Sequence, residues 1–250
     1  MAAGLMALIG AASGSFLNLC VDRLPKRQSL LAPPSHCDSC GGRLGPGDLI
    51  PIISFLALRR RCRRCGAVIP WRVLIVEVLT AAALGYIGYR FGLSREAIVV
   101  SLYVMVLVLV AFLDLEQGII PNGVVLPAML AAVGLSALLP DVGPVRALIG
   151  GAVAFGTMLA VYLAARGGMG GGDVKLAAFV GLATGFPLVV QALMIAAMSG
   201  GLIAIVLLGL KKKRRGDTVP FGPMLAFGAA VSLLWGPGLL HAWLSLGSRT

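Results

Sequence analysis

Long apolar runs fill most of the chain, and short polar or turn-forming segments separate them. Most runs approach the length of about 20 residues that a helix needs to cross a bilayer. The pattern predicts about eight transmembrane helices, and the stretch from 174 to 210 is divided near Pro187 because it is too long for one helix. The predicted spans are residues 1–20, 72–90, 96–113, 122–139, 145–165, 174–187, 188–210 and 219–246.

Composition agrees with this pattern. Of the 250 residues, 58% are hydrophobic and 12% are charged, and that charged share is about half of what a soluble domain carries. Because lipid offers the backbone no hydrogen-bond partners, repeated apolar runs favour helices. We therefore predict an all-α polytopic membrane protein with the lipid bilayer as a partner. The first twenty residues lack a basic leading region, so they are expected to be a retained helix and not a cleaved signal.

The net charge of +11 comes largely from basic segments between apolar runs. Such clustering is typical of charges that set membrane topology, and we expect no nucleic-acid partner. The polar insertion after the first helix and the basic run at 211–215 should both be cytoplasmic. Six apolar runs separate them, so they lie on the same side. The same count places the loops at 114–121 and 166–173 on that cytoplasmic side and both termini outside.

The polar insertion contains two C-x-x-C pairs, each followed by a glycine that permits a tight turn. Four thiolates at this spacing predict a small, zinc-ribbon-like Zn²⁺ site, which would stabilise a segment with little core of its own. Two disulfides are the alternative, and a reducing cytoplasm favours zinc. His36 is at most a substitute ligand, and Cys20 is expected to be a buried small residue. The predicted metal ligands are Cys37, Cys40, Cys62 and Cys65.

Asp114 and Asp173 each stand where a long apolar run meets a turn signal. A carboxylate at a membrane edge is costly, so it is a candidate functional residue. Two nearby carboxyl groups ionise together only at a cost, so one can accept a proton from water while the other donates one. If the fold brings them together, the pair can hydrolyse a peptide bond.

A glycine-rich run at 167–172 precedes Asp173. It lacks side-chain bulk, so an extended peptide can lie close to its backbone amides. The run fits neither phosphate-binding pattern, and helix packing explains the glycines but not the acid. Lys175 is expected either to pair with a carboxylate or to extend to the interface. The candidate substrate-binding residues are Gly170, Gly171, Gly172, Lys175 and Pro121.

Taken together, these motifs resemble the prepilin peptidases, or type IV leader peptidases, of bacterial pilus and type II secretion systems. The resemblance rests on residues 14–25, the paired cysteine motifs at 37–65, residues 71–77, the loop at 114–121, M-G-G-G-D-V-K-L at 169–176 and V-P-F-G-P at 219–223. It implies that Asp114 and Asp173 are catalytic aspartates of the GxGD membrane aspartyl protease type. It also implies cleavage of the basic leader of prepilins and pseudopilins, at the cytoplasmic face of the inner membrane. The assembly machinery of a pilus or type II secretion system is then an expected partner.

Many members of this family also methylate the new amino terminus with S-adenosylmethionine, an activity associated with the amino-terminal part. By resemblance, Arg72 and Glu77 lie in the segment linked to methyl transfer; an interface anchor and a buried partner are their alternative roles. Asn18 is assigned either to the same chemistry or to hydrogen bonding between helices. Two positions depart from the family pattern: Asn122 stands where an aspartate is usual, and Asp38 where proline is common.

By composition the chain divides into a first transmembrane helix at 1–22, a cytoplasmic four-cysteine insertion at 23–70 and a transmembrane peptidase core at 71–250. Two other functions fit some of the same features. A transporter can carry protons or cations on two intramembrane acids, although such sites usually lie at the midplane. A scaffold subunit of a secretion machine can use the zinc module as a docking surface.

Overall fold

The computed structural model describes residues 1–165, 169–210 and 220–247, with side chains described as far as residue 240. Within these ranges the protein is helical, and its only β-type pairing is two isolated bridges. The helices are α1 (Ala2–Arg23), α2 (Ile53–Ala57), α3 (Trp71–Phe91), α4 (Arg95–Gln117), α5 (Asn122–Leu135), α6 (Gly143–Ala164), α7 (Gly171–Thr184), α8 (Leu188–Gly209) and α9 (Gly222–Gly247).

A helix lies at each of the eight predicted positions, which confirms the all-α polytopic membrane fold. Six of these helices, α1, α3, α4, α6, α8 and α9, are long and apolar enough to cross a membrane. The other two, α5 and α7, have 14 residues each, or about 21 Å at 1.5 Å per residue, so they are shorter than a full span. α7 ends early because Gly185 (φ 69°) breaks the helix before α8 begins at Leu188.

Exposed apolar side chains agree with a lipid environment. On α8, the side chains of Met198, Leu202 and Ile205 are each more than 60% exposed. In water such a helix would leave a large apolar patch unprotected. In a bilayer the same surface contacts lipid tails at no cost.

The first compact unit runs from Met1 to Leu109. Its main packing is between α1 and α3, where the backbones come close because α1 presents glycines. A Cβ atom added to Gly14 would lie 2.7 Å from the Cα atom of Glu77, so only glycine fits. Small residues at helix crossings are a common basis of membrane packing. The insertion between these helices contains α2 and the four cysteines.

The second compact unit runs from Val110 to Thr250. Its centre is α7, which contacts α5, α6, α8 and α9. Every residue from Leu176 to Thr184 is buried, as expected for a helix that is apolar on all sides. The buried position of α7 fixes the place of Asp173 in its first turn. The two units are defined by contacts between residues, whereas the three predicted segments are defined by composition along the sequence. The three-part division therefore stays a prediction.

Candidate functional site

Asp114 lies in the last turn of α4 and is 7% exposed. The helix ends there because Gly118 adopts a φ of 64° and donates its N–H to the Asp114 carbonyl at 2.9 Å. The side chain is held by a second, remote segment: the backbone N–H of Gly222 donates to Asp114 Oδ2 at 2.9 Å. Gly222 is the first residue of α9, so the beginning of one helix positions the acid at the end of another.

Asp173 is the third residue of α7 and is also 7% exposed. Gly170 caps the helix with an extended conformation, and its carbonyl accepts the Asp173 N–H at 3.1 Å. A carboxylate in the first turn of a helix is favoured by the unpaired N–H groups there. The turn that precedes α7 therefore orients this second acid.

Both aspartates line one cavity of about 1090 Å³. Its walls come from the end of α4 and the loop after it, the segment before α7, the start of α9, and parts of α6 and α8. Ile119, Ile120 and Phe221 are among its apolar lining residues, and Gly170 and Gly172 also line it. This volume is close to the upper limit of about 1,000 Å³ for small-molecule sites. Two carboxyl groups on one such cavity can share a proton and act as base and acid on a water molecule.

Only some of the candidate substrate-binding residues line the aspartate cavity. Gly170 lines the cavity, and a Cβ added to Gly171 would meet nothing within 4 Å. A Cβ added to Gly172 would lie 2.9 Å from Cβ of Ile120. Gly172 is therefore required for the close approach of α7 to the loop after α4. The remaining glycines of the run, Gly167 and Gly168, lie outside the described residues.

Lys175 makes a contact that neither sequence-based alternative includes. Its Nζ donates to Oδ1 of Asn122 at 2.9 Å. Asn122 is the first residue of α5, and Pro121 is the N-cap of that helix. The contact joins the first residue of α5 to the fifth residue of α7, so it supports the position of α7, which carries Asp173, relative to α5. Neither Lys175 nor Pro121 is a cavity-lining residue.

The contribution of Gly222 was missed by sequence reasoning. The motif at 219–223 carried part of the resemblance, but no site role was assigned to it; Val219 lies outside the described residues, as does the basic run at 211–215. The only sequence feature that could have indicated this role is the position of Gly222 beside a proline at the start of an apolar run. The sequence does not show that its N–H meets a carboxylate 108 residues away.

The four cysteines of the insertion come together in the first unit. Their Sγ atoms all lie within 4.8 Å of one another, and those of Cys37 and Cys65 are 3.8 Å apart. Zinc–sulfur bonds of 2.3 Å in tetrahedral geometry place sulfur atoms about 3.8 Å apart. The residues present therefore fit a tetrahedral metal ion such as Zn²⁺. His36 is outside this cluster, and its Nδ1 lies 3.0 Å from the carbonyl oxygen of Pro34.

Each cysteine pair forms the same turn. Cys37 N–H donates to the Gly42 carbonyl, and Cys62 N–H donates to the Ala67 carbonyl. The N–H groups of Cys65 and Arg64 also point at the Cys62 thiol and lower its pKa to about 6. Because the thiolate is the form that ligates metals, the turn prepares this ligand for a cation.

The three residues that the family resemblance associates with methyl transfer lie on α1 and α3. Asn18 Nδ2 donates to the Val73 carbonyl at 3.0 Å, which is the hydrogen bond between helices that was one of its two expected roles. Arg72 donates to Asp22 Oδ1 at 2.7 Å, and the Glu77 carboxylate accepts the Ile52 N–H at 2.7 Å. Arg72 and Glu77 line a cavity of about 850 Å³ in the first unit, whereas Asn18 does not.

Fold and site together define a polytopic membrane protein with two buried aspartates on one cavity and a separate insertion that contains a four-cysteine cluster. Two family descriptions match the chain: Bacterial Peptidase A24 N-terminal domain at residues 8–91, and Type IV leader peptidase family at residues 101–205. No solved structure gives a significant match.

Several relatives share most of the chain. The prepilin leader peptidase/N-methyltransferase of Pseudomonas aeruginosa is 30% identical over 270 residues, covering 95% of this chain and 91% of the relative. The protein of the same name from Bacillus subtilis is 32% identical over 244 residues, with 96% of each chain covered. That of Myxococcus xanthus is 35% identical over 206 residues, covering 80% and 62%. The chain belongs to the prepilin leader peptidase/N-methyltransferase family.

Proposed function

We propose that this protein cleaves the basic leader of prepilins and pseudopilins and then methylates the new amino terminus. The names of the relatives support both activities. They do not support the transporter or scaffold alternatives. The observation that carries the peptidase proposal is the convergence of Asp114 and Asp173 on one cavity.

Hydrolysis uses the two carboxyl groups as one unit. One carboxylate takes a proton from a water molecule, whose oxygen attacks the scissile carbonyl carbon. The other, protonated carboxyl group donates its proton to the leaving amine as the carbon–nitrogen bond breaks. The pair then still holds one proton, now on the other aspartate, and its transfer back restores the starting state. The Gly222 N–H holds Asp114 in place, and the apolar walls limit access of bulk water.

The cavity walls also indicate how the substrate is bound. Ile119, Ile120 and Phe221 favour an apolar segment, such as the amino-terminal helix of a prepilin entering from the bilayer. The basic leader remains in the cytoplasm. We place the active site at the cytoplasmic face of the bacterial inner membrane, as the positive charges predict. The pilus or type II secretion machinery is the proposed receiver of the product.

The amino-terminal unit carries the second activity. S-adenosylmethionine supplies an electrophilic methyl group when bound. Glu77 and the Arg72–Asp22 pair line the cavity of the first unit, and this mixture of charges suits a donor that carries both cations and a carboxylate. We propose that Cys37, Cys40, Cys62 and Cys65 hold Zn²⁺ as a structural ion, which fixes the insertion beside that cavity.

The functional test is incubation of the purified protein with a prepilin-type peptide, read by mass spectrometry. We expect release of the leader, and with S-adenosylmethionine present a mass increase of one methyl group on the mature fragment. An intact peptide after prolonged incubation in lipid would contradict the peptidase proposal. A cleaved but unmodified fragment would contradict the methyltransferase proposal alone.

Substitution of Gly222 by alanine is expected to lower the cleavage rate by about 10²-fold, because small displacements of a catalytic group are costly. The added Cβ would lie 2.7 Å from Asp114 Oδ2, so the carboxyl group must move. Single-turnover cleavage with detergent-solubilised protein measures the effect.

The matched control for this change is Gly201→Ala on α8. A Cβ there meets nothing within 4 Å, so the rate should stay at the wild-type value. Equal rates for wild type and Gly222→Ala would show that the contact with Asp114 does not position the acid.

A further inference from the structure

The short helix α2 has one side that is turned away from the unit to which it belongs. Ile53 and Leu56 are three residues apart, so they lie on the same side of the helix. They are 64% and 61% exposed, and neither lines the cavity of the first unit, whereas Ser54 and Phe55 do. The helix therefore presents two large apolar side chains outward from the four-cysteine insertion.

The other side of α2 ties the helix to the beginning of α3. Phe55 is buried, and the centre of its ring lies 5.6 Å from that of Trp71, the first residue of α3. α3 has 21 residues, or a length of about 31 Å, which matches the hydrocarbon core of about 30 Å. Trp71 therefore lies at the edge of that core, where tryptophan is favoured, and α2 lies at the same level.

Basic residues adjoin the exposed side of α2. Arg59 and Arg61 come shortly after the helix and are exposed, and the guanidinium carbon of Arg60 lies 4.9 Å from the centre of the Trp71 ring. Across residues 23–70 basic side chains far outnumber acidic ones. Anionic lipid headgroups attract basic residues close to the bilayer surface. Apolar side chains with neighbouring cations match the boundary between lipid tails and headgroups.

The exposed side of α2 is also continuous with a surface that lipid covers. Trp71, Ile75 and Val78 are all exposed, and their spacing places them on one side of α3. α3 is long and apolar enough to cross a membrane, so this side contacts lipid. Because α2 adjoins the upper end of the same surface and carries matching charge, the bilayer is the occupant that the structure favours.

We propose that α2 lies on the membrane surface and holds the four-cysteine insertion against the leaflet that α3 enters. Ile53 and Leu56 enter the edge of the hydrocarbon region, and Arg59 and Arg61 bind the phosphate groups of anionic lipids. This lipid contact is separate from peptide cleavage and methyl transfer. It adds a binding surface for anionic lipid to the amino-terminal unit.

The test is photo-crosslinking of the full-length protein, with the photoreactive residue benzoylphenylalanine in place of Ile53. Vesicles contain equal amounts of phosphatidylcholine and phosphatidylglycerol, and intact-mass spectrometry identifies the adducts. We expect lipid adducts in which phosphatidylglycerol exceeds phosphatidylcholine at least about fivefold, the effect of one cation near an anionic surface. The same probe in place of Leu56 should give the same result. In place of Ser54, on the cavity side, it should give no lipid adduct.

The contribution of charge is tested with the probe kept at Ile53. Arg59→Gln should lower the excess of phosphatidylglycerol about fivefold. The matched control is Arg43→Gln, because Arg43 is exposed and follows the turn of the first cysteine pair; its adduct ratio should equal that of the unaltered chain.

Links between two copies of the chain, or the absence of lipid adducts with the probe at both Ile53 and Leu56, would overturn the membrane contact. Equal adducts from the two lipids, or the same loss of excess in Arg43→Gln as in Arg59→Gln, would overturn the assignment of anionic headgroups to Arg59. None of these results bears on cleavage or methylation, which are measured on peptide.

Discussion

Replacement of Asp114 or Asp173 by asparagine is expected to slow leader cleavage by about 10²- to 10⁴-fold, the usual contribution of a general acid or base. Asparagine has nearly the same shape, and its amide oxygen can still accept the Gly222 N–H that holds Asp114. The substitution therefore removes proton transfer while the packing is kept. Cleavage of a prepilin-type peptide by each purified variant, followed by mass spectrometry, measures the loss.

The matched control is Glu116→Gln, two residues after Asp114 in the same last turn of α4. Glu116 is exposed and does not line the aspartate cavity, so its loss should leave the cleavage rate unchanged. If Glu116→Gln were as slow as Asp114→Asn, the negative charge of the last turn of α4 would explain both effects. The assignment of Asp114 as a proton-transfer group would then be lost.

The second large effect is expected when Cys62 and Cys65 are both changed to serine. The four sulfur atoms lie within 4.8 Å of one another, and two remaining thiolates cannot complete a tetrahedral site. Because metal binding supplies most of the folding energy of such a small insertion, bound zinc should fall from one ion per chain to near zero. Elemental analysis by mass spectrometry measures the metal. Limited proteolysis should show new cuts within residues 24–70.

Cys20→Ala is the control for loss of a thiol. Cys20 is buried in α1 and lies outside the cluster, so the variant should keep its metal and its resistance to protease. Full zinc content in the double-serine variant would contradict the four-cysteine site. Zinc loss from Cys20→Ala would do the same, because it would indicate a different ligand set.

The fold was predictable because lipid imposes a simple rule: an apolar run of sufficient length becomes a helix. Each of the eight runs contains one, and the division near Pro187 is a real helix boundary. The shortness of α5 and α7 was not predictable from hydropathy. It depends on single turns, such as that at Gly185, and on the burial of α7 by four neighbouring helices, which a one-dimensional pattern does not contain.

The approach of the two aspartates agrees with the predicted topology, because the loops at 114–121 and 166–173 fall on the same side of the membrane. The contacts that place them did not follow. The Gly222 N–H bond to Asp114 joins residues 108 positions apart, and the need for glycine at 172 arises from Ile120. Backbone donors have no signature in the sequence. For this reason the sequence favours substrate binding over helix packing for the glycine run, and the contact between Gly172 and Ile120 appears only in the structure.

For charged residues, the sequence indicates which side chains are unusual in their surroundings but does not indicate their hydrogen-bond partners. Glu77 stands out as an acid in an apolar run, but its bond to Ile52 depends on the path of the insertion. Lys175, in the second unit, is similar: the sequence predicts either an ion pair with a carboxylate or extension to the interface, and its Nζ donates to Oδ1 of Asn122. Tertiary packing decides which hydrogen-bond partner each of these side chains meets, so the partners are known only from the structure.

The most direct test of a shared aspartate centre is single-turnover cleavage by Asp114→Asn, Asp173→Asn and the double variant, measured side by side. Groups that act as one unit lose their effects non-additively. We expect the double variant to be as slow as either single variant and no slower. Losses that multiply in the double variant, or a single variant that cleaves at the wild-type rate, would show that the two carboxyl groups do not work together.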